Sequence, residues 1–297
     1  MAGSGRGTGH DYTDHDNPTA GCIIAARMEY RVRRTICRNP NAAPSRIRQG
    51  SRWLTALATL CAIALPIEVA GQPSLESAPL PAPFSRDKPG AVPPPWETVK
   101  LTDRKKPTIY TLVDDGGIVV LHAKAVAAAS GLAQFTVFDI RSAPIVEWRW
   151  KVSALIDGAD NHVAAKEDAP ARLLFAFDGD KSRLPLVERA IFYVTETLSG
   201  KELPYALLQY VRANKAPVGA VIEHPYTRRV RMIVVASGAD GVGTWQSFSR
   251  NVYDDYLLAF GEAPGNLVGI GVLTDADNTG GSAEAWYGDI RFRSGDR

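Results

Sequence analysis

The chain has 297 residues, with 34 Lys and Arg against 32 Asp and Glu and a net charge of +2. Its three cysteines, Cys22, Cys37 and Cys61, all precede residue 72, so the remainder can form no disulfide and use no thiolate for catalysis or metal binding. Nine of the basic and five of the acidic residues fall in residues 1–71, which leaves 25 basic against 27 acidic residues for the rest; a near-neutral domain argues against nucleic acid or an anionic membrane as partner.

Residues 1–52 are polar and basic, without periodic apolar spacing. Trp53–Leu65 is an apolar run of 13 residues, preceded by Arg46, Arg48 and Arg52. It is too short to span a bilayer, and the order basic, apolar, small is that of a secretory signal. Val69-Ala70-Gly71 supplies the small residues, so cleavage before Gln72 is expected. The expectation is a leader over 1–71, a periplasmic or secreted mature protein, and no stable membrane anchor after cleavage. Residues 72–95 carry eight prolines and end in Pro93-Pro94-Pro95. Such a composition predicts an extended, unpaired linker. Residues 96–297 remain for one domain of about 200 residues.

From Trp96 onward, short β-prone runs alternate with turn residues. Strands are predicted over 109–113, 118–126, 145–152, 171–178, 205–211, 218–223, 230–237, 267–274 and 284–292. Helices are predicted over 184–198 and 250–260; in the second, Val252, Tyr253, Tyr256, Leu257 and Phe260 form one apolar stripe and Gly261 can end the helix. The fold class expected is all-β: a two-sheet antiparallel sandwich of jelly-roll kind with one or two short helices.

Alternation assigns faces. In 145–152, Val146, Trp148, Trp150 and Val152 share one face, and Ile145, Glu147, Arg149 and Lys151 the other. Exposed paired indoles would make a sugar-stacking platform, but the valines beside them place these two in the core. In 171–178, Leu173, Phe175 and Phe177 point inward and leave Arg172 and Asp178 opposite. In 284–292, Trp286, Ile290 and Phe292 share the core face, with Tyr287, Asp289 and Arg291 outward.

Five blocks carry a resemblance: Glu147-Trp148-Arg149-Trp150, Glu167-Asp168-Ala169-Pro170-Ala171-Arg172, Arg250-Asn251-Val252-Tyr253-Asp254-Asp255-Tyr256 with Phe260-Gly261, Thr274-Asp275-Ala276-Asp277-Asn278-Thr279, and Tyr287-Gly288-Asp289-Ile290. Together, over roughly residues 95–293, they resemble the domain-of-unknown-function family numbered three thousand and forty-seven, a group of exported bacterial proteins. The resemblance implies an exported single domain and no particular activity. One departure is that Tyr210-Val211-Arg212 stands where the family resemblance leads one to expect Tyr-x-Trp. More loosely, the aromatic–Asp–Ile ending is similar to the last strand of jelly-roll carbohydrate-binding modules, an analogy of fold rather than function.

Glu147, Arg149, Asp168, Arg172, Arg250 and Asp254 are the candidate ligand-binding residues, expected to form one polar patch over a sheet. Arginine suits such a patch because its planar fork can hold carboxylates or sugar hydroxyls. Asp275 and Asp277, followed by Thr279-Gly280, place oxygen ligands at alternate positions, which suits Ca²⁺. The same residues can instead fold an Asx-turn between two strands. An EF-hand is excluded because Trp286 stands at the twelfth position. No cofactor is expected beyond such a structural calcium ion. His122, His162 and His224 are scattered and make no zinc motif. No Gly-x-Ser-x-Gly elbow, phosphate loop or dinucleotide fingerprint occurs. Two of Glu147, Asp168, Asp254 and Asp275 could serve as a glycosidase pair, or Arg149, Arg172 and Arg250 could hold Glu147, Asp168 or Asp254 structurally. Two functions follow: an exported non-catalytic sandwich that binds a saccharide or another cell-envelope component, and a polysaccharide hydrolase or lyase.

Overall fold

A computed structural model describes residues 81–100, 104–199, 202–224 and 227–295; the expected leader over 1–71 lies outside them. Two sheets enclose the core. The seven-stranded sheet has the order β1 (Glu97–Lys100), β4 (Ala129–Phe138), β11 (Leu267–Asp275), β6 (Ala169–Phe177), β7 (Ala206–Ala213), β9 (Thr227–Ser237) and β8 (Val221–His224). The six-stranded sheet has the order β10 (Gln246–Asn251), β5 (Ile145–Val152), β12 (Ser282–Tyr287), β3 (Val119–Val126) and β2 (Ile109–Asp114), and β13 (Arg291–Arg293) also pairs with β5. All pairs are antiparallel except β7 with β9. The all-β sandwich expected from alternation is the observed fold, with helices α1 (Leu186–Ser199) and α2 (Val252–Phe260) added.

The alternation of β5 is kept in three dimensions: Val146, Trp148, Trp150 and Val152 are buried, and the residues between them are not. Trp148 lies flat on Tyr210 of the opposite sheet, with ring centres 5.0 Å apart and planes 2° from parallel. Phe248 stacks on the other side of this cluster, 5.0 Å from both Trp148 and Trp150. Each such aromatic pair adds about 0.5–1.5 kcal/mol to the burial of its rings, so this column pins β5 to β7 and β10. The helix α2 follows β10 directly because Asn251 ends the strand and caps the helix, its Oδ1 accepting from the N–H groups of Tyr253 and Asp254. Gly261, at φ 70°, closes the helix in the left-handed region.

Three expectations are corrected. Trp286 is half-buried on the outer face, whereas Tyr287 is in the core at 1 % exposure. The predicted strand 284–292 is broken at residues 288–290 into β12 and β13, so one alternation cannot run through it; within β12 the inward residues are Ala283, Ala285 and Tyr287. Arg172 is 1 % exposed, because β6 is central and every one of its residues is buried. Finally, residues 81–95 are no unpaired spacer. Phe84 is buried and stacks on Trp96 at 4.8 Å, and Ser85 donates to Asp289 through its N–H at 3.0 Å and its Oγ at 2.6 Å. An apolar anchor and a few side-chain partners hold a segment whose prolines prevent it from forming a ladder of its own.

Candidate functional site

Parity in the sheets decides where each candidate side chain goes. Glu147 and Arg149 lie on the outer face of the six-stranded sheet, opposite Ser249 and Ser247 of β10. Arg250 pairs in register with Val146, an inward position, so it enters the space between the sheets. Asp168 and Arg172 are buried against the seven-stranded sheet. The six residues therefore occupy three places, and the single patch expected from sequence does not form.

On the outer face, Ser85, Glu147, Arg149, Ser247, Ser249, Asp289 and Arg291 line an open cleft of about 780 Å³. Its acids are engaged. Glu147 accepts from Arg293 at 2.7 Å, and Asp289 accepts from Ser85 and from Arg291 at 3.3 Å. Arg149 differs: its guanidinium lies over the Trp245 ring at 4.5 Å. Among the described residues no carboxylate forms a salt bridge with it and no acceptor takes its protons, although Asp115 acts on it through space. Gly288 presses on its stem. A Cβ at 288 would sit 2.6 Å from Arg149 Cγ and 2.8 Å from its Nε, and the Gly288 N–H donates to the Arg149 carbonyl at 2.9 Å. Trp245 is itself fixed, its indole N–H donating to Asp115 at 2.6 Å. Lys151 donates to the same carboxylate at 3.0 Å, which, together with the indole, holds Asp115 below the usual carboxylate range.

Beside the cleft, Lys151, Trp286, His122 and Thr111 are in register across four strands. Trp286 stacks on His122 at 5.0 Å, and Lys151 lies 4.7 Å from its centre. The indoles of this face are thus covered by cations and an imidazole rather than bare.

Asp168, Arg172 and Asp275 belong to a buried network. Arg172 Nε donates to Asp275 at 3.2 Å and its Nη1 to Glu167 at 2.9 Å and to Gln209 at 3.1 Å. Burial opposes the Arg172 charge, but the carboxylates of Asp275 and Glu167 outweigh it and raise its pKa. Burial pushes the Asp275 carboxyl up to about 7, against the pull of Arg172. Asp168 accepts from the N–H groups of Asn278 and Thr279 and from the Thr279 hydroxyl, fixing the turn after β11. Asp168, Asp275 and Asp277 bring carboxylate oxygens within 4.8 Å of one another, the one such acidic group among the described residues able to hold a cation. Each has other partners: Asp277 is paired with Lys105, Asp275 with Arg172, and Asp168 with the turn.

Arg250 pairs with Asp255, its Nε donating at 2.8 Å. Tyr210 donates to the same carboxylate at 2.6 Å, and burial, then Asp255, raises its pKa. Asp254 is exposed and accepts from the Asn251 amide at 2.6 Å. Arg212, standing where an aromatic was expected, is fully buried and donates to Gln246 at 2.6 Å and to the carbonyls of Gly238 and Asp240 at 2.8 Å. It ties β7 to β10 across the core.

Sequence reasoning missed Trp245, Ser247 and Ser249 because β10 was not recognised. Its Ser247-Phe248-Ser249 alternation is legible, but the run is short and merges into the helical stripe that follows.

The chain belongs to the family described as protein of unknown function DUF3047, whose model matches residues 94–291. No curated protein matches its sequence. Among solved structures it is similar to a non-crystalline cellulose-specific carbohydrate-binding module, at 10 % identity and a TM-score of 0.29 over 62 % of this chain and 80 % of that one. It is also similar to the carbohydrate recognition domain of Emp47p, at 12 % identity and 0.34 over 72 % and 94 %. A third is the xyloglucanase domain of NopAA from Sinorhizobium fredii in complex with cellobiose, at 10 % identity and 0.34 over 65 % and 89 %.

Proposed function

We propose that this DUF3047 domain is an exported, non-catalytic module that binds a saccharide on the outer face of its six-stranded sheet. The observation that carries this reading is the cleft of about 780 Å³ lined by hydroxyls, carboxylates and guanidinium groups projecting from adjacent strands. Hydroxyl-rich ligands need donors and acceptors together, and serine, carboxylate and arginine supply both. Side chains on a rigid β scaffold hold such groups in fixed positions. Binding is favoured over hydrolysis by the state of the acids. Of the four carboxylates weighed as a glycosidase pair, only Glu147 reaches the cleft, and it and Asp289, the other cleft carboxylate, are each paired with an arginine.

A glycan array with the protein, with and without Ca²⁺, tests the reading alongside Ser249→Trp, which fills the cleft from an outward position. Wild type should bind a subset of glycans and the variant, folded normally, none. Equal binding by both would move the site elsewhere, and an array blank for wild type would end the saccharide reading. Export is tested by N-terminal sequencing of protein recovered from periplasm or medium: a start near Gln72 is expected, and an intact leader on cytosolic protein would overturn it.

A further inference from the structure

We infer that the saccharide held in this cleft is acidic and that a ligand carboxylate seats on Arg149, a deepening that rests on the function proposed above. The charges at the cleft do not balance locally. Glu147 is met by Arg293 and Asp289 by Arg291, whereas Arg149 makes no salt bridge with a carboxylate among the described residues; Asp115 acts on it only through space, being hydrogen-bonded to Lys151 and Trp245. A guanidinium has five N–H donors and cannot lose its charge, so an unfilled fork beside engaged acids is poised for an incoming acceptor.

Its placement is fixed before any ligand arrives. Trp245 supports the guanidinium through a cation–π contact at 4.5 Å, and Asp115 anchors that indole. On the stem, Gly288 leaves room that any Cβ would take away. Held in this way, the guanidinium keeps N–H donors that no acceptor among the described residues takes, and such paired donors can meet a carboxylate bidentately. Lys151, 5.2 Å from the same ring, adds positive potential, although its own ammonium is shared with Asp115. A neutral sugar could use the serines, but it would leave the fork of Arg149 to water.

The test compares oligogalacturonate, its methyl ester and cello-oligosaccharides of equal length by calorimetry. The acid should bind at least tenfold more tightly than its ester, and the gap should narrow as salt is raised. In Arg149→Ala the acid and the ester should bind alike. Arg149→Lys keeps the charge without the fork and should recover only part of the preference. Gly288→Ala, which displaces the stem without removing the charge, should lower acid affinity while far-UV circular dichroism stays unchanged. Equal affinity for acid and ester in wild type, or a preference that survives Arg149→Ala, overturns the inference and leaves the saccharide reading standing. Failure of all three sugars to bind overturns both.

Discussion

Arg172 and Asp275 meet at 3.2 Å on adjacent strands, both buried, with Asp275 also accepting from the Ala169 N–H at 3.0 Å. The pair is one arm of a network that joins two of the sequence blocks carrying the family resemblance, Glu167–Arg172 and Thr274–Thr279. Tyr287 from a third block adds its hydroxyl, 2.8 Å from Thr274 Oγ1. These segments are far apart in sequence and converge on a buried structural network, while the two residues after Tyr287, Gly288 and Asp289, reach the cleft.

Arg172→Ala should therefore destabilise the domain by about 3–5 kcal/mol, because it strands Asp275 and Glu167 without their cation. Arg149→Ala, at a cleft position with no partner acid, should stay within about 1 kcal/mol of wild type. Urea denaturation of the two variants side by side measures the contrast. Comparable losses would make Arg149 a structural residue and remove its claim to be a site.

Asp275 should give the domain a measurable pH dependence. Its folded value of about 7 lies above the ordinary carboxyl value of 3.8, so between these pH values the native chain holds a proton that the unfolded chain releases. Its contribution is therefore present below about pH 4 and lost as pH rises through 7. Asp275→Asn should flatten the fall in stability over that window relative to wild type. Identical slopes for both proteins would show that Asp275 is ionised throughout.

The two sheet faces can be separated by tryptophan truncation. Trp150→Ala, at 0 % exposure, should cost about 3–5 kcal/mol. Trp286→Ala removes a half-buried ring on the outer face and should cost about 1 kcal/mol. Chemical denaturation distinguishes them, and equal costs would mean that the outer face is covered in solution.

Calcium should leave the melting temperature of wild type unchanged. Asp168, Asp275 and Asp277 are close enough to hold a cation, but Arg172, Lys105 and the turn after β11 already compensate them. A rise in melting temperature that disappears in Asp277→Ala would assign the cluster to a metal instead.

Legibility followed burial. β5 was readable because one face is buried and the other is not, so its alternation carries the information; Glu147 and Arg149 were found this way. Alternation treats 171–178 as half-buried, as it does 145–152, yet every residue of β6 is buried, and alternation cannot show where Arg172 goes. β4 escaped notice because it begins Ala129-Ser130-Gly131, small residues with weak strand preference that tolerate close packing. The fork of Arg149 could not be foreseen as free, since pairing depends on which acids other loops bring near.

The place of β11 between β4 and β6 has a bearing on how the chain reaches this fold. Residues 267–275 are synthesised long after β4 and β6, yet they lie between them in the larger sheet. Until they arrive, β4 and β6 each present an unpaired edge, a template for strands of other molecules. Such long-range closure is slow, so a nascent or truncated chain that stops before Leu267 is expected to be held by chaperones or to aggregate rather than to form a smaller stable sandwich.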